Sequence, residues 1–151
     1  MSATRTVTLA LTGASGMPYG LRLLECLLAA GTAVGLVYSP AAQIVAKQEC
    51  DLVFPSQPRE AARWFAERYR AKPGQLAVYG RDDWMAPIAS GSAPADAMAV
   101  CPCTMGTLGA IANAVIASNG GDQNDPATIV AATTAVFIGV AVAAVIILIG
   151  A

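Results

Sequence analysis

The stretch VTLALTGASGMPYG, Val7–Gly20, constrains the fold of this chain more than any other. A β-branched apolar run, Val7–Leu11, drops directly into Thr12-Gly13-Ala14-Ser15-Gly16, and Pro18 then opens a helical pattern. A glycine turn between strand and helix lets the backbone approach a ligand closely. The free N–H groups and the helix dipole there favour an anion. The spacing therefore predicts a phosphate-holding turn; its alternative is a tight turn and nothing more.

The pattern continues as alternating strands and helices. Leu21, Leu24, Leu27 and Leu28 share one face of a helix over Pro18–Ala30, and Gly31 stops it. Ala33–Tyr38 reads as a second strand. Ser39-Pro40 then supplies an N-cap and a first-turn proline for a helix over Ala41–Lys47. An amphipathic helix over Pro58–Arg70, a short strand at Leu76–Tyr79 and a buried strand at Ala97–Cys101 follow. A further helix begins within Thr104–Thr107. This order predicts an α/β fold with a Rossmann-like, doubly wound parallel sheet.

Composition narrows the chemistry. A net charge of −1 without a basic block argues against nucleic acid as partner. The absence of histidine removes the commonest general base and every Ser-His-Asp or Cys-His arrangement. Cys101-Pro102-Cys103 lacks a second ligand pair, so no metal site is expected. Cys26, Cys50, Cys101 and Cys103 read as reduced thiols of a cytoplasmic protein. Met1–Thr6 has no apolar segment after a basic start, and no signal peptide is expected.

The charge is unevenly distributed. All nine Lys and Arg residues lie at or before Arg81, and none of the residues from Pro126 to Ala151 is charged. We therefore divide the chain into a domain over 1–113, a polar linker over 114–126 and an apolar tail over 127–151. The tail is long enough to cross a bilayer as a helix, and reads equally as a buried helix or strand pair.

Gly13, Gly16 and Gly20 match neither the G-x-G-x-x-G fingerprint nor a Walker A loop. Ser39 ends the second strand where a dinucleotide fold places an acidic residue on the ribose. A third hydroxyl-bearing turn, Thr104-Met105-Gly106-Thr107, follows another strand. Three such turns at strand ends point to a mononucleotide such as FMN. Each taken alone also reads as a plain turn or helix cap. Trp84, in the loop Asp82–Ser92, is either a packing plug or an aromatic wall, and Ser90-Gly91-Ser92 offers donors to a second phosphate. Glu49 reads by itself as a solvated surface carboxylate. A short-chain reductase would need a Tyr-x-x-x-Lys pair, and none of the four tyrosines has lysine four residues on.

TGASGMPYGLRLLECL, SPAAQ followed by Glu49, DDWMAPIASGS and CPCTMGTLGAIA, in this order over about residues 6–113, resemble the flavin prenyltransferases (UbiX/Pad type). These belong to the FMN-binding flavoproteins that also include cysteine decarboxylases, which rely on a histidine. The resemblance implies a flavodoxin-like three-layer fold and a metal-independent transfer. A dimethylallyl group moves from dimethylallyl phosphate to N5 and C6 of reduced FMN. The prenylated FMN then serves a UbiD-type decarboxylase in ubiquinone biosynthesis or on aromatic acids. By position it implies FMN contacts from Gly13, Ala14, Ser15, Ser39, Thr104, Met105, Gly106 and Thr107. Ser15 would lie at the reactive edge of the flavin. Glu49 would be an acid/base group, its pKa raised toward neutrality by burial beside the flavin. Trp84 would face the allyl group, and Ser90 and Gly91 the substrate phosphate. It also implies a homo-oligomer with sites between subunits. After Asn113 the family continues with Asn-Asn-Leu-Ile-x-Arg-Ala-Ala-Asp and later basic residues. This chain does not, so its C-terminal part is read as atypical or truncated.

Overall fold

The computed structural model describes residues 5–89 and 95–118. The chain divides into two units, Met1–Pro102 and Cys103–Ala151. In the first unit, β1 (Thr6–Leu11), β2 (Ala33–Tyr38), β3 (Leu76–Val78) and β4 (Ala97–Val100) form one sheet in the order β3-β2-β1-β4. Every pairing is parallel, as the strand–helix alternation predicts. The helices are α1 (Met17–Ala29), α2 (Pro40–Cys50) and α3 (Pro58–Tyr69).

Register explains the core. Leu9 pairs with Leu36 and Val7 with Val34, and Val34 and Leu36 pair with Leu76 and Val78. With side chains alternating along each strand, these residues share one face of the sheet. They join one cluster with Leu21, Leu24, Leu27 and Leu28 of α1, Ala42 and Ala46 of α2, and Ala61 and Phe65 of α3. Full burial of a leucine or phenylalanine contributes about 1.5–3 kcal/mol, so this helix-facing side carries the stability of the unit. Phe65 lies wholly buried among Tyr38, Phe54, Trp64 and Tyr69, with ring centroids 4.8–6.2 Å away.

Local signals set the helix ends. Ser39 Oγ accepts from the Ala42 N–H at 3.1 Å, as an N-cap should. Helix α2 runs three residues past the expected Lys47, to Cys50, and ends at Asp51 in the left-handed region, with Lys47 and Asp51 paired. Helix α3 ends at Arg70, also left-handed.

Two expectations need correction. Strand β4 is not buried: its residues run from exposed to half-buried, and Met98 keeps 60% of its surface. The apolar run suggested an interior strand, but among the described residues β4 pairs with β1 alone. In the second unit, α4 spans Met105–Ser118, so 114–118 is helix rather than linker. Asn113-Ala114-Val115-Ile116 contains no glycine or proline, and the helix passes through it. No described helix is long and apolar enough to cross a membrane, and the tail over 127–151 lies outside the described residues.

Candidate functional site

In an open parallel sheet, ligands collect beyond the carboxyl ends of the strands, where the chain departs to either side. Here the order reverses between β1 and β4. Thr12, just past β1, donates both its N–H (3.1 Å) and its hydroxyl (2.7 Å) to the Pro102 carbonyl, tying the ends of β1 and β4 together. The Ser39 N–H donates to the Leu11 carbonyl at 3.1 Å, which ties in the end of β2.

The turn that follows is set by two glycines. Gly16 has φ +104°, a conformation that side chains resist, and it forms the N-cap of α1. At Gly13 a Cβ would crowd the start of α2, 3.2 Å from the Ala41 carbonyl carbon. A glycine N-cap brings no side-chain acceptor for the first N–H groups of its helix. Glu49, in the last turn of α2, provides one. Its carboxylate accepts from Met17 N–H at 2.8 Å and from Gly16 N–H at 3.0 and 3.2 Å.

This contact favours the ionised form of Glu49. Its pKa is lowered, chiefly by the Met17 N–H and further by the Gly16 N–H and the Ser15 hydroxyl, with partial desolvation opposing. The side chain is exposed, and these donors favour its ionised form. The same contact changes the reading of the turn. The anion at the Gly16 and Met17 N–H groups is the protein's own carboxylate.

Beside the turn lies a cleft of about 620 Å³, within the range of small-molecule sites. Thr12, Ser39, Tyr79, Arg81, Trp84 and Ile88 are among its lining residues. Tyr79 lies over the sheet because Gly35 has no side chain: a Cβ there would sit 2.9 Å from the tyrosine ring. Trp84 is 83% exposed, as is its neighbour Met85 at 92%, so Trp84 is a rim residue and not a packing plug.

The structure thus brings Gly13, Ala14, Ser15 and Glu49 together at the start of α1, and Ser39 and Trp84 to the adjoining cleft. Ser90 and Gly91 lie outside the described residues. Thr104, Met105, Gly106 and Thr107 belong to the second unit. There Thr104 Oγ1 accepts from the Thr107 N–H at 3.1 Å and bonds the Thr107 hydroxyl at 2.9 Å, capping α4, while Met105 is 77% exposed. Sequence reasoning missed Thr12, Tyr79 and Arg81. The signal for Arg81 was available, since it is the last cation of the chain and adjoins the tryptophan loop.

The donor set suits a flavin mononucleotide. The Ser39 hydroxyl and one guanidinium match a polyol phosphate, and aromatic walls match a planar ring. Comparison with known proteins bears on the same point. Residues 1–119 match the family model described as Flavoprotein. The flavin prenyltransferase UbiX of Pseudomonas aeruginosa is 47% identical over 112 residues, which are 74% of this chain and 54% of that protein. The chain spans about half the length of the curated relatives it matches. Among solved structures, AnUbiX (PadA1) in complex with FMN and dimethylallyl pyrophosphate aligns with a TM-score of 0.59 and 29% identity. The alignment covers 86% of this chain and 58% of that one. A dodecameric FMN-dependent UbiX-like decarboxylase from Escherichia coli O157:H7 shares the fold, with a TM-score of 0.59 and 24% identity over 87% of this chain and 74% of that one. By the order of its motifs, by its fold and by these matches, the chain belongs to the Flavoprotein family, with flavin prenyltransferases as its relatives.

Proposed function

We propose that this chain carries the flavin-holding part of a flavin prenyltransferase, which moves a dimethylallyl group from dimethylallyl phosphate to reduced FMN. The observation that carries the reading is the Glu49 clamp on the Ser15–Met17 turn beside a cleft rimmed by Trp84. Bound reduced FMN supplies the nucleophilic ring atoms. The chain's own residues supply the rest. Gly13 and Ala14 bring backbone close to the ligand, and Ser39 offers its hydroxyl. The family resemblance adds Thr104, Met105, Gly106 and Thr107 as cofactor contacts. Glu49, bonded to the Ser15 hydroxyl, is the acid/base group of the transfer. The π-face of Trp84 stabilises positive charge developing on the allyl group as phosphate leaves. Ser90 and Gly91 receive that phosphate. No metal takes part in this scheme.

The product would pass to a UbiD-type decarboxylase in ubiquinone biosynthesis, from a cytoplasmic homo-oligomer. A second reading has a specific sequence observation behind it: no Lys or Arg follows Arg81 to complement a leaving phosphate. On that reading the chain binds FMN without turnover, and the apolar 127–151 tail tethers it to a membrane.

Purified protein with FMN, reductant and dimethylallyl phosphate separates the two. A flavin heavier by one prenyl unit in mass spectrometry establishes transfer. Bound but unmodified FMN selects the second reading, and protein that takes up no flavin refutes both.

A further inference from the structure

We propose that Arg81 is a phosphate-binding residue of the cleft, gripping a phosphate monoester carried either by the flavin or by the allylic substrate. The proposal rests on the flavin reading above and adds a residue to it. Arg81 lines the cleft directly after Gly80, where the chain leaves β3 and turns toward Trp84. Its guanidinium makes no ion pair among the described residues. Arg22 pairs with Glu25, Lys47 with Asp51, and Arg68 lies over the Trp64 ring at 5.5 Å; among the cations of the described residues, Arg81 is the one that lines this cleft.

Ser39 and Pro40 line the same cleft, so the positive end of the 11-residue helix α2 opens onto it. Asp83 also lines the cleft and Asp82 adjoins it. Without Arg81 the rim is acidic and repels a dianion. With Arg81 a planar fork of N–H donors can take two phosphate oxygens at once, a geometry that a lysine point charge does not reproduce. The start of α1 cannot take this role while the Glu49 carboxylate holds its N–H groups. Charge complement for a phosphate therefore lies at the Ser39–Arg81 side of the cleft.

The test compares the parent protein with Arg81→Met and Arg81→Lys. Affinities for FMN and for riboflavin, which lacks the phosphate, come from flavin fluorescence, and those for dimethylallyl phosphate from calorimetry. Arg81→Met should weaken at least one of the two phosphate ligands by about tenfold or more, with riboflavin unchanged and Arg81→Lys intermediate. Loss confined to FMN assigns the flavin phosphate; loss confined to dimethylallyl phosphate assigns the substrate phosphate; each supports the proposal. Equal weakening of FMN and riboflavin with dimethylallyl phosphate unaffected overturns it, as does no weakening at all. Parent protein that binds dimethylallyl phosphate through Arg81 but takes no flavin refutes the flavin reading and leaves Arg81 assigned. Parent protein that binds FMN, with neither phosphate ligand dependent on Arg81, does the reverse. Binding of neither ligand overturns both.

Discussion

Replacing Gly20 with alanine tests whether α1 is seated against β4 as closely as the site requires. A Cβ at this position would lie 3.0 Å from the Cys101 carbonyl carbon and 3.0 Å from Leu11 Cδ2, and closer still to the Cys101 oxygen. The Cys101 contact is with backbone, so no rotamer change relieves it; α1 must slide away or the β4 end must yield. Overpacking of this kind costs about 1–3 kcal/mol, and a rigid backbone neighbour places it near the upper end. Alanine returns about 1 kcal/mol through helix propensity. The net loss is then about 2 kcal/mol, equivalent to a fall in Tm of roughly 8–16 °C for a unit of this size. Thermal unfolding followed by the emission of Trp64, half-buried against Phe54 and Phe65, reads it out. Flavin affinity should fall as well, because α1 carries the Gly13–Gly16 turn at its start. In α4, a Cβ at Gly109 meets no described atom within 4 Å, so Gly109→Ala should not destabilise. A Gly20→Ala protein that melts at or above the parent temperature refutes the close seating.

Three further outcomes follow from the site. Ser39→Ala removes the acceptor for the Ala42 N–H and should cost about 1 kcal/mol in denaturant unfolding, with weaker FMN binding; unchanged stability would mean that the cap is idle. The Glu49 pKa is depressed below its ordinary 4.5. Its stabilising contribution is therefore complete above that value and lost as pH falls through the folded value. The stability difference between parent and Glu49→Gln should be flat from about pH 6 upward and shrink on acidification; a difference that grows toward acid contradicts the anionic clamp. Trp84→Ala, at an 83% exposed position, should change stability by less than about 0.5 kcal/mol while abolishing prenyl transfer. Normal transfer would remove Trp84 from the mechanism.

How much of this was legible in the sequence depended on the range of each interaction. β2 was readable to the residue because its alternation ends in Ser39-Pro40, a cap and a first-turn proline acting within four positions. The parallel order came from strand–helix alternation, which is also local. The Glu49 clamp was not readable, since it joins residues 32 and 33 positions apart and capping rules look three residues ahead. One clue was present: a helix opening on Gly16, with no side-chain acceptor, must find its acceptor elsewhere. Strand β4 misled for a different reason. AMAV is apolar enough for an interior strand, but burial is a property of neighbours, and the described sheet supplies only one.

The clamp also bears on how a flavin mononucleotide would lie. A glycine turn at a helix start normally invites the phosphate, and here that invitation is answered by Glu49. Two anions at one pair of N–H groups repel, and Glu49 is covalently placed, so a mobile phosphate gains more elsewhere. The Ser39 end of α2 and Arg81 offer opposite charge across the same cleft. With the phosphate drawn there, the turn held by Glu49 is left free of it. A carboxylate at one side and a guanidinium at the other would then orient the ligand before any chemistry begins. Glu49→Gln tests this directly: freed of charge, the α1 start should tolerate inorganic phosphate better than the parent does. If parent and variant bind inorganic phosphate equally, and both depend on Arg81 to the same degree, the carboxylate does not set the orientation.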